Sequence, residues 1–371
     1  WVLVNLINLL DKSHFKPFFV SQQESLLTEQ LSQQNIEVVI APFTKILDVY
    51  NQGVFSYSLA DKLSTLKALL EYNNHIANIA RQYNIHCIWS RNIKSVLLTG
   101  IAAKKLGMPL VWDIGLEKKS RGLMTVLNWI GLNLSQVVIT EATCQPKNLF
   151  GSLTAQLFAH KFTNLYRGIE PMRIAAIKQA KNSNTVLKER FEILNVGTIH
   201  PRKNQLMLLR AIAPLVKQYP NIQVKLVGSV GDEAYFSQLE TFVKAEQLEP
   251  YVEFLGWRDD IPELMSHSDL FVLCSHNEGL AYVIPEAMYA ELLIISTAVG
   301  GVPDIVKHGE TGFLVARDDD AQLRELIEKC ITNTNIRQSI VKRAREVAEQ
   351  KYSIAAFSSQ YNTVLRELCK I

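Results

Sequence analysis

Residues 269–288 read DLFVLCSHNEGLAYVIPEAM. The first seven form an apolar run of strand length that ends at Ser275. A glycine-bearing loop follows, and helical character resumes near Pro285. Proline suits a first helical turn, because the N–H it lacks would have had no partner there. Strand, loop and helix in that order make half of a βαβ unit, and the recurrence of that unit along the chain decides the fold.

The recurrence is nearly continuous. FEILNVG (191–197), QVKLVGS (223–229), VEFLG (252–256), LLIIST (292–297) and GFLVA (312–316) complete a set of six strands separated by helical stretches. Upstream, PFFVS (17–21), EVVIAPF (37–43), HCIWS (86–90), PLVWDIG (109–115) and QVVITEA (136–142) alternate with helices in the same way. Short strands joined through helices predict α/β domains with parallel sheets. At 371 residues the chain is too long for one ordinary core, so two domains are expected. The polar stretch KQAKNSNTVLKER (178–190) reads as the linker. The expected division is 1–177, 178–355 and a terminal helix 356–371 that packs back on the first domain. Two open sheets facing each other imply a cleft, with ligands at the carboxyl ends of the strands.

Composition narrows the function. The net charge is +3 and no long basic run occurs, which argues against a nucleic-acid partner. Two short basic clusters, Lys118–Lys119–Arg121 and Lys342–Arg343–Arg345, read as solvated faces. The five cysteines are scattered without CxxC spacing, which argues against a disulfide framework and a zinc site and fits a reducing, cytoplasmic setting. No apolar run reaches the roughly 18–20 residues that span a bilayer. The basic-apolar run KKSRGLMTVLNWIGL (118–132) reads as a buried helix, with peripheral membrane contact as the alternative. The opening WVLVNLINLLDK is helical in spacing, and a chain beginning with Trp is expected to start inside a longer protein.

The opening stretch also carries chemistry. Glu278 and Glu286 lie eight positions apart, about 12 Å along a continuous helix, but a loop can fold back and bring both to one ligand. Glu286 falls in a first helical turn, at the positive end of the helix dipole. A strand-to-helix corner offers free N–H groups to an anion, and a carboxylate there can accept two hydrogen bonds from a vicinal diol such as a ribose. Two further corners accompany it. NVGTIHPRKNQ (195–205) brings Gly197, Arg202 and Lys203, and AVGGVPDIV (298–306) brings Gly300 and Gly301. Three such corners from one sheet could enclose a diphosphate.

At these residues the sequence resembles the retaining glycosyltransferases of family four. The matching stretches are VGTIHPRKNQLMLLRAI, KLVG, VEFLGWRDDIPELMSHSDLFVLCSHNEGLAYVIPEAM and VGGVPDIVKHGETGFLV, with NLYRGIEP resembling that family's interdomain turn. The resemblance implies a GT-B fold, two Rossmann-like domains facing across a cleft. It implies that Glu286 holds the ribose of a nucleotide sugar, that Glu278 lies near the donor sugar, and that Lys203, helped by Arg202, binds the diphosphate. Gly197, Thr198, Gly256, Gly279, Leu280 and Ala281 would complete the donor site. The expected partners are the nucleotide sugar and a glycan or lipid-linked acceptor, with no cofactor and no metal.

Departures from the family are specific. Thr198 stands where many members carry an arginine, which leaves the diphosphate charge to Arg202 and Lys203. The first domain is expected to lack its first strand and glycine-rich loop. On the acceptor side a histidine is common, and here VWDIG offers Asp113, either a catalytic carboxylate or a strand-end cap. RDD (258–260) is read as a helix cap and RDDD (317–320) as a cap or turn, rather than metal ligands. Two other functions remain open: a nucleotide-sugar 2-epimerase of the same fold, and a non-catalytic binding module.

Overall fold

The period-two rule for strands explains the second half of the chain. In each strand, alternate side chains enter opposite apolar layers. Ile193, Val224, Val272 and Ile295 go to one layer, while Leu194, Val227, Phe271 and Ile294 go to the other. A strand buried on both faces reads as a continuous apolar run, which is how LFVL (270–273) and LII (293–295) appear in the sequence. The computed structural model describes residues 2–47, 58–115, 122–183 and 189–370.

The strands are β1 (Phe18–Ser21), β2 (Glu37–Ile40), β3 (Ile88–Ser90), β4 (Leu110–Asp113), β5 (Val137–Thr140), β6 (Phe162–Asn164), β7 (Phe191–Val196), β8 (Ile222–Val227), β9 (Val252–Gly256), β10 (Leu270–Leu273), β11 (Leu293–Thr297) and β12 (Phe313–Val315). All their pairings are parallel. The chain divides into two compact units.

Unit 1 comprises residues 1–140, 146–165 and 358–371. Its strands form two sheets, β1-β2 and β3-β4-β5-β6. Trp112, fully buried on β4, anchors a core with Leu110, Ile114, Leu132 and Val138. The helix Ile93–Leu106 shows why local sequence suffices in places. Asn92 accepts the Ser95 N–H at 2.8 Å to begin it, and Gly107 ends it at φ +67°. The helix Ile354–Cys369 brings Tyr361 to Trp89, with ring centroids 4.8 Å apart.

Unit 2 comprises residues 141–145 and 166–357. Its six strands run in the order β12-β11-β10-β7-β8-β9. The connection leaves β7 toward β8 and β9, then returns to β10 on the other side. That reversal is a topological switch point, where open parallel sheets hold ligands beyond the carboxyl ends of their strands.

Several expectations need correction. The unit boundary falls between Leu165 and Tyr166, ahead of the expected 177/178. The supposed linker begins as helix, since Pro171–Ser183 is helical and lies in unit 2; residues 184–188 of that stretch lie outside the described residues. Strand β6 was not anticipated, because FTN is too short and too polar to read as one. Strand β10 stops at Leu273, and the helix after it begins at Val283, two residues before Pro285. The cluster Lys118–Lys119–Arg121 lies outside the described residues. The rest of that run forms the helix Leu123–Leu134, which is buried on one side only: Leu132 is fully buried, while Val126 and Trp129 are about half exposed. Arg345 does not fit a simple solvated face, because its guanidinium sits 4.7 Å over the Tyr289 ring.

Candidate functional site

The two corners that flank the switch point meet directly. After β7 the chain makes a short 3-10 turn, Pro201–Lys203, that aims Lys203 back over the strand end. After β10 it makes the loop that carries Glu278. The Lys203 ammonium donates to Glu278 Oε1 at 2.6 Å, and the Ser275 hydroxyl donates to the same oxygen at 2.5 Å. Both partners are sheltered, with side-chain exposures of 17% for Lys203 and 8% for Glu278. Removing one partner of such a pair typically costs about 3–5 kcal/mol, because it strands a charge away from water. Ser275 is itself held, its carbonyl accepting from the Thr297 hydroxyl at 2.7 Å.

Glycines let these corners close. The third corner lies directly beneath the Glu278 loop. Gly300 has φ +54°, and a Cβ built on it would stand 1.7 Å from the Glu278 carbonyl oxygen. The Gly301 N–H donates to the Gly279 carbonyl at 2.9 Å. Beside the first corner, a Cβ on Gly228 would stand 2.2 Å from the Gly197 carbonyl oxygen. Only residues without side chains permit backbone to approach this closely.

Glu286 lies in the first turn of the helix Val283–Tyr289. Its Oε2 accepts from Arg173 Nε at 3.2 Å and Nη2 at 3.0 Å. Arg173 comes from the helix Pro171–Ser183 and was not foreseen. Nothing in a sequence period reports a pair separated by 113 positions.

The other expected donor-site residues are placed as follows. Gly197 continues β7, its N–H donating to Val227, and Thr198 is exposed, its carbonyl taking a bond from the buried Gln205 amide at 3.1 Å. Arg202 is exposed beside Lys203, and its carbonyl accepts from the His276 N–H at 2.8 Å. Gly256 ends β9 at φ +63°, its carbonyl taking the Gly228 N–H at 2.8 Å. Gly279 borders open space, while Leu280 and Ala281 are buried. Sequence reasoning missed Ser275, Thr297, Gln205 and Arg173. Ser275 was the legible one, three positions before Glu278 at a strand end.

Asp113 belongs to unit 1. It ends β4, is 3% exposed, and has Arg91 Nε at 3.4 Å from Oδ2. The acidic runs resolve differently from each other. Asp319 accepts from the Gln322 N–H at 2.9 Å, as a helix cap does. Asp260 stands at the N-cap of the helix Ile261–His267, as expected, but its side chain does not cap it: Arg258 captures the carboxylate with both Nε and Nη2, holding its pKa low. Asp318 accepts from Asn204 and contacts the His276 ring at 2.8 Å.

Comparison with known proteins bears on these corners. Residues 176–347 match the family model described as Glycosyl transferases group 1. The chain is 28% identical over 193 residues to the N-acetyl-alpha-D-glucosaminyl L-malate synthase of Bacillus anthracis, covering 51% of each chain. It spans about half the length of that and the next curated relatives it matches. It is 24% identical over 348 residues to the UDP-Gal:alpha-D-GlcNAc-diphosphoundecaprenol alpha-1,3-galactosyltransferase of Escherichia coli, covering 89% of this chain and 88% of that one. Among solved structures, Anabaena Alr3699/HepE in complex with UDP superposes with a TM-score of 0.70 at 22% identity, over 99% of this chain and 95% of that one. With two α/β units and all-parallel sheets, this likeness shows the GT-B fold.

Proposed function

We propose that the chain is a retaining glycosyltransferase that moves a sugar from a nucleoside-diphosphate donor to a glycan or lipid-linked acceptor. The observation that carries this reading is the Lys203–Glu278 pair at the switch point of the unit 2 sheet. The family match across residues 176–347 and the similarity to a galactosyltransferase with a lipid-diphosphate acceptor support it.

The chemistry follows from the residues. Transfer breaks the bond between the sugar's anomeric carbon and the diphosphate oxygen, and the electron pair leaves with the diphosphate. Lys203, already desolvated and aimed by its contact with Glu278, would stabilise that growing charge. Arg202, exposed on the same turn, would add a second cation, so the residues themselves can neutralise the leaving group without a metal. Gly197, Thr198 and Gly279 would present backbone to the phosphates, with Leu280 and Ala281 behind them, and Gly256 would let the base approach. Glu278 would hold hydroxyls of the donor sugar once Lys203 turns to phosphate. Glu286, aligned by Arg173, would accept from the ribose diol through its Oε1. The acceptor hydroxyl forms the new bond on the face the diphosphate leaves and gives up its proton to a base, for which Asp113 is the candidate the sequence offers. We place the chain in the cytoplasm.

Calorimetric titration with UDP, GDP and ADP, on this chain and on Glu286→Ala, tests the donor site. Micromolar binding of one nucleotide, weakened by at least about 1.4 kcal/mol in the variant, is expected. Binding of none, or equal binding by both proteins, would overturn the assignment. Release of free nucleoside diphosphate from the matching nucleotide sugar separates transfer from epimerisation, in which the sugar stays attached.

A further inference from the structure

Three loops leave the carboxyl ends of β7, β10 and β12, and one carboxylate ties them together. Asp318 lies in the loop between β12 and the helix Asp320–Thr332. Its Oδ1 accepts from the Asn204 side-chain amide at 3.0 Å and stands 2.8 Å from His276 Nε2. A carboxylate oxygen only accepts, so that ring nitrogen is the donor and carries the proton. Arg317 Nε lies 3.5 Å from the other oxygen, Oδ2.

Two of these residues hold an unfavourable backbone. Asn204 has φ +51° and Asp318 φ +63°, a left-handed region that glycine enters freely and other residues rarely. A loop that needed only the turn would be served better by glycine. Asn and Asp at these two positions are accounted for by the bond they make with each other across 114 positions. Nor is Asp318 required as a helix cap, since Asp319 fills that role by accepting from the Gln322 N–H.

The bond acts on the site through its neighbours. Asn204 directly follows Lys203 and ends the turn Pro201–Lys203. His276 comes two positions before Glu278, and its N–H donates to the Arg202 carbonyl at 2.8 Å. The backbone on both sides of Lys203 is therefore held, at Arg202 by His276 and at Asn204 by Asp318. A lysine has a flexible four-carbon stem, so a fixed backbone is what lets its charge meet a developing charge without reorganising. The Asp318 side chain is 58% exposed, so its bonds contribute geometry more than stability.

We infer that Asp318 is a positioning residue for sugar transfer, acting through Asn204 and His276 to hold the Lys203 turn against the Glu278 loop. This rests on the proposed transfer reaction. The test is Asp318→Gly, which keeps the left-handed backbone at no steric cost and removes the carboxylate. The thermal midpoint should hold, because released strain offsets the lost bonds, while kcat with the matching nucleotide sugar falls about tenfold. Asn204→Gly breaks the same bond from its other end and should reproduce that loss. In a Lys203→Ala background Asp318→Gly should cost little more, because the group it acts through is gone. Asp318→Asn keeps an acceptor oxygen and should recover most of the rate. An unchanged kcat in Asp318→Gly overturns the inference. So does a loss equally large with and without Lys203, or one that follows a fall in thermal midpoint, either of which marks a purely structural role. If the unaltered chain releases no nucleoside diphosphate from any nucleotide sugar, the transfer reading fails and this inference falls with it. Normal release by the unaltered chain and by Asp318→Gly alike removes this inference alone.

Discussion

Arg173 donates Nε and Nη2 to a single oxygen, Oε2, of Glu286, at 3.2 and 3.0 Å. Both hydrogen bonds fall on the same oxygen, which holds that end of the carboxylate and leaves Oε1 clear of the guanidinium's donors. If Oε1 meets the ribose, Arg173→Ala should weaken binding of the preferred nucleotide by about 1 kcal/mol through loss of alignment. Arg173→Lys should recover part of it. The 2′,3′-dideoxy analogue has no diol to accept from, so it should bind the original chain and Arg173→Ala alike. Equal losses for both nucleotides, measured by calorimetry, would show that Arg173 supports the fold and not the ribose contact.

Lys203 holds Glu278 at 2.6 Å with 17% of its side chain exposed, so its charge works in a setting of low polarity. Lys203→Ala should raise the barrier to transfer by about 2–4 kcal/mol, lowering kcat roughly 30- to 1,000-fold. Glu278→Gln keeps the shape and removes the charge, so it should spare nucleotide affinity more than Lys203→Ala does. Steady-state kinetics with the matching nucleotide sugar decide this, and a Lys203→Ala enzyme of ordinary kcat would remove the lysine from the chemistry.

Strands β10 and β11 at the centre of unit 2 were legible because both their faces are buried, leaving apolar runs such as those at 270–273 and 293–295. Strand β6 was not, since Phe162–Asn164 draws its order from pairing with β5 and not from its own composition. The run 178–183 looked like a linker because the exposed side of the helix Pro171–Ser183 is polar. Glu278 and Lys203 could be named from their corners, but their mutual contact could not, because it depends on β7 and β10 being neighbours. Arg173 was invisible for the same reason. Asp260 was legible as the N-cap before Ile261, but not that Arg258 would take its carboxylate from the helix N–H groups.

Gly300 and Gly279 make a controlled pair for testing how tightly the corners close. A Cβ on Gly300 would stand 1.7 Å from the Glu278 carbonyl oxygen, at φ +54°, so both contact and backbone strain oppose it. Gly300→Ala should lower stability by at least about 2 kcal/mol, because the atom it meets is backbone and cannot swing aside. A Cβ on Gly279 meets nothing within 4 Å, so Gly279→Ala should leave stability nearly unchanged. Urea denaturation of the two variants provides the comparison, and similar midpoints would mean that the loop and the third corner are not packed together in solution.

Asp11 links the first helical segment to the last helix within unit 1. Its carboxylate accepts from the Ser13 hydroxyl at 2.5 Å and from Arg366 Nη2 at 2.7 Å, while its own N–H donates to Asn362 at 2.8 Å. The Ser13 hydroxyl first, and Arg366 next, hold its pKa well below the usual carboxylate range. A pKa depressed by folding stabilises the protein above the unfolded value, about 3.9, and that contribution is lost as pH falls through the folded value. Asp11→Asn should therefore melt at a lower temperature than the original chain at neutral pH, with the gap closing progressively below about pH 4. Arg366→Leu should show the same closing gap, since it removes the cation that faces the carboxylate. Thermal melts across the acid range read this directly. A gap that stays constant as pH falls would mean that the carboxylate charge contributes nothing to holding the last helix in place.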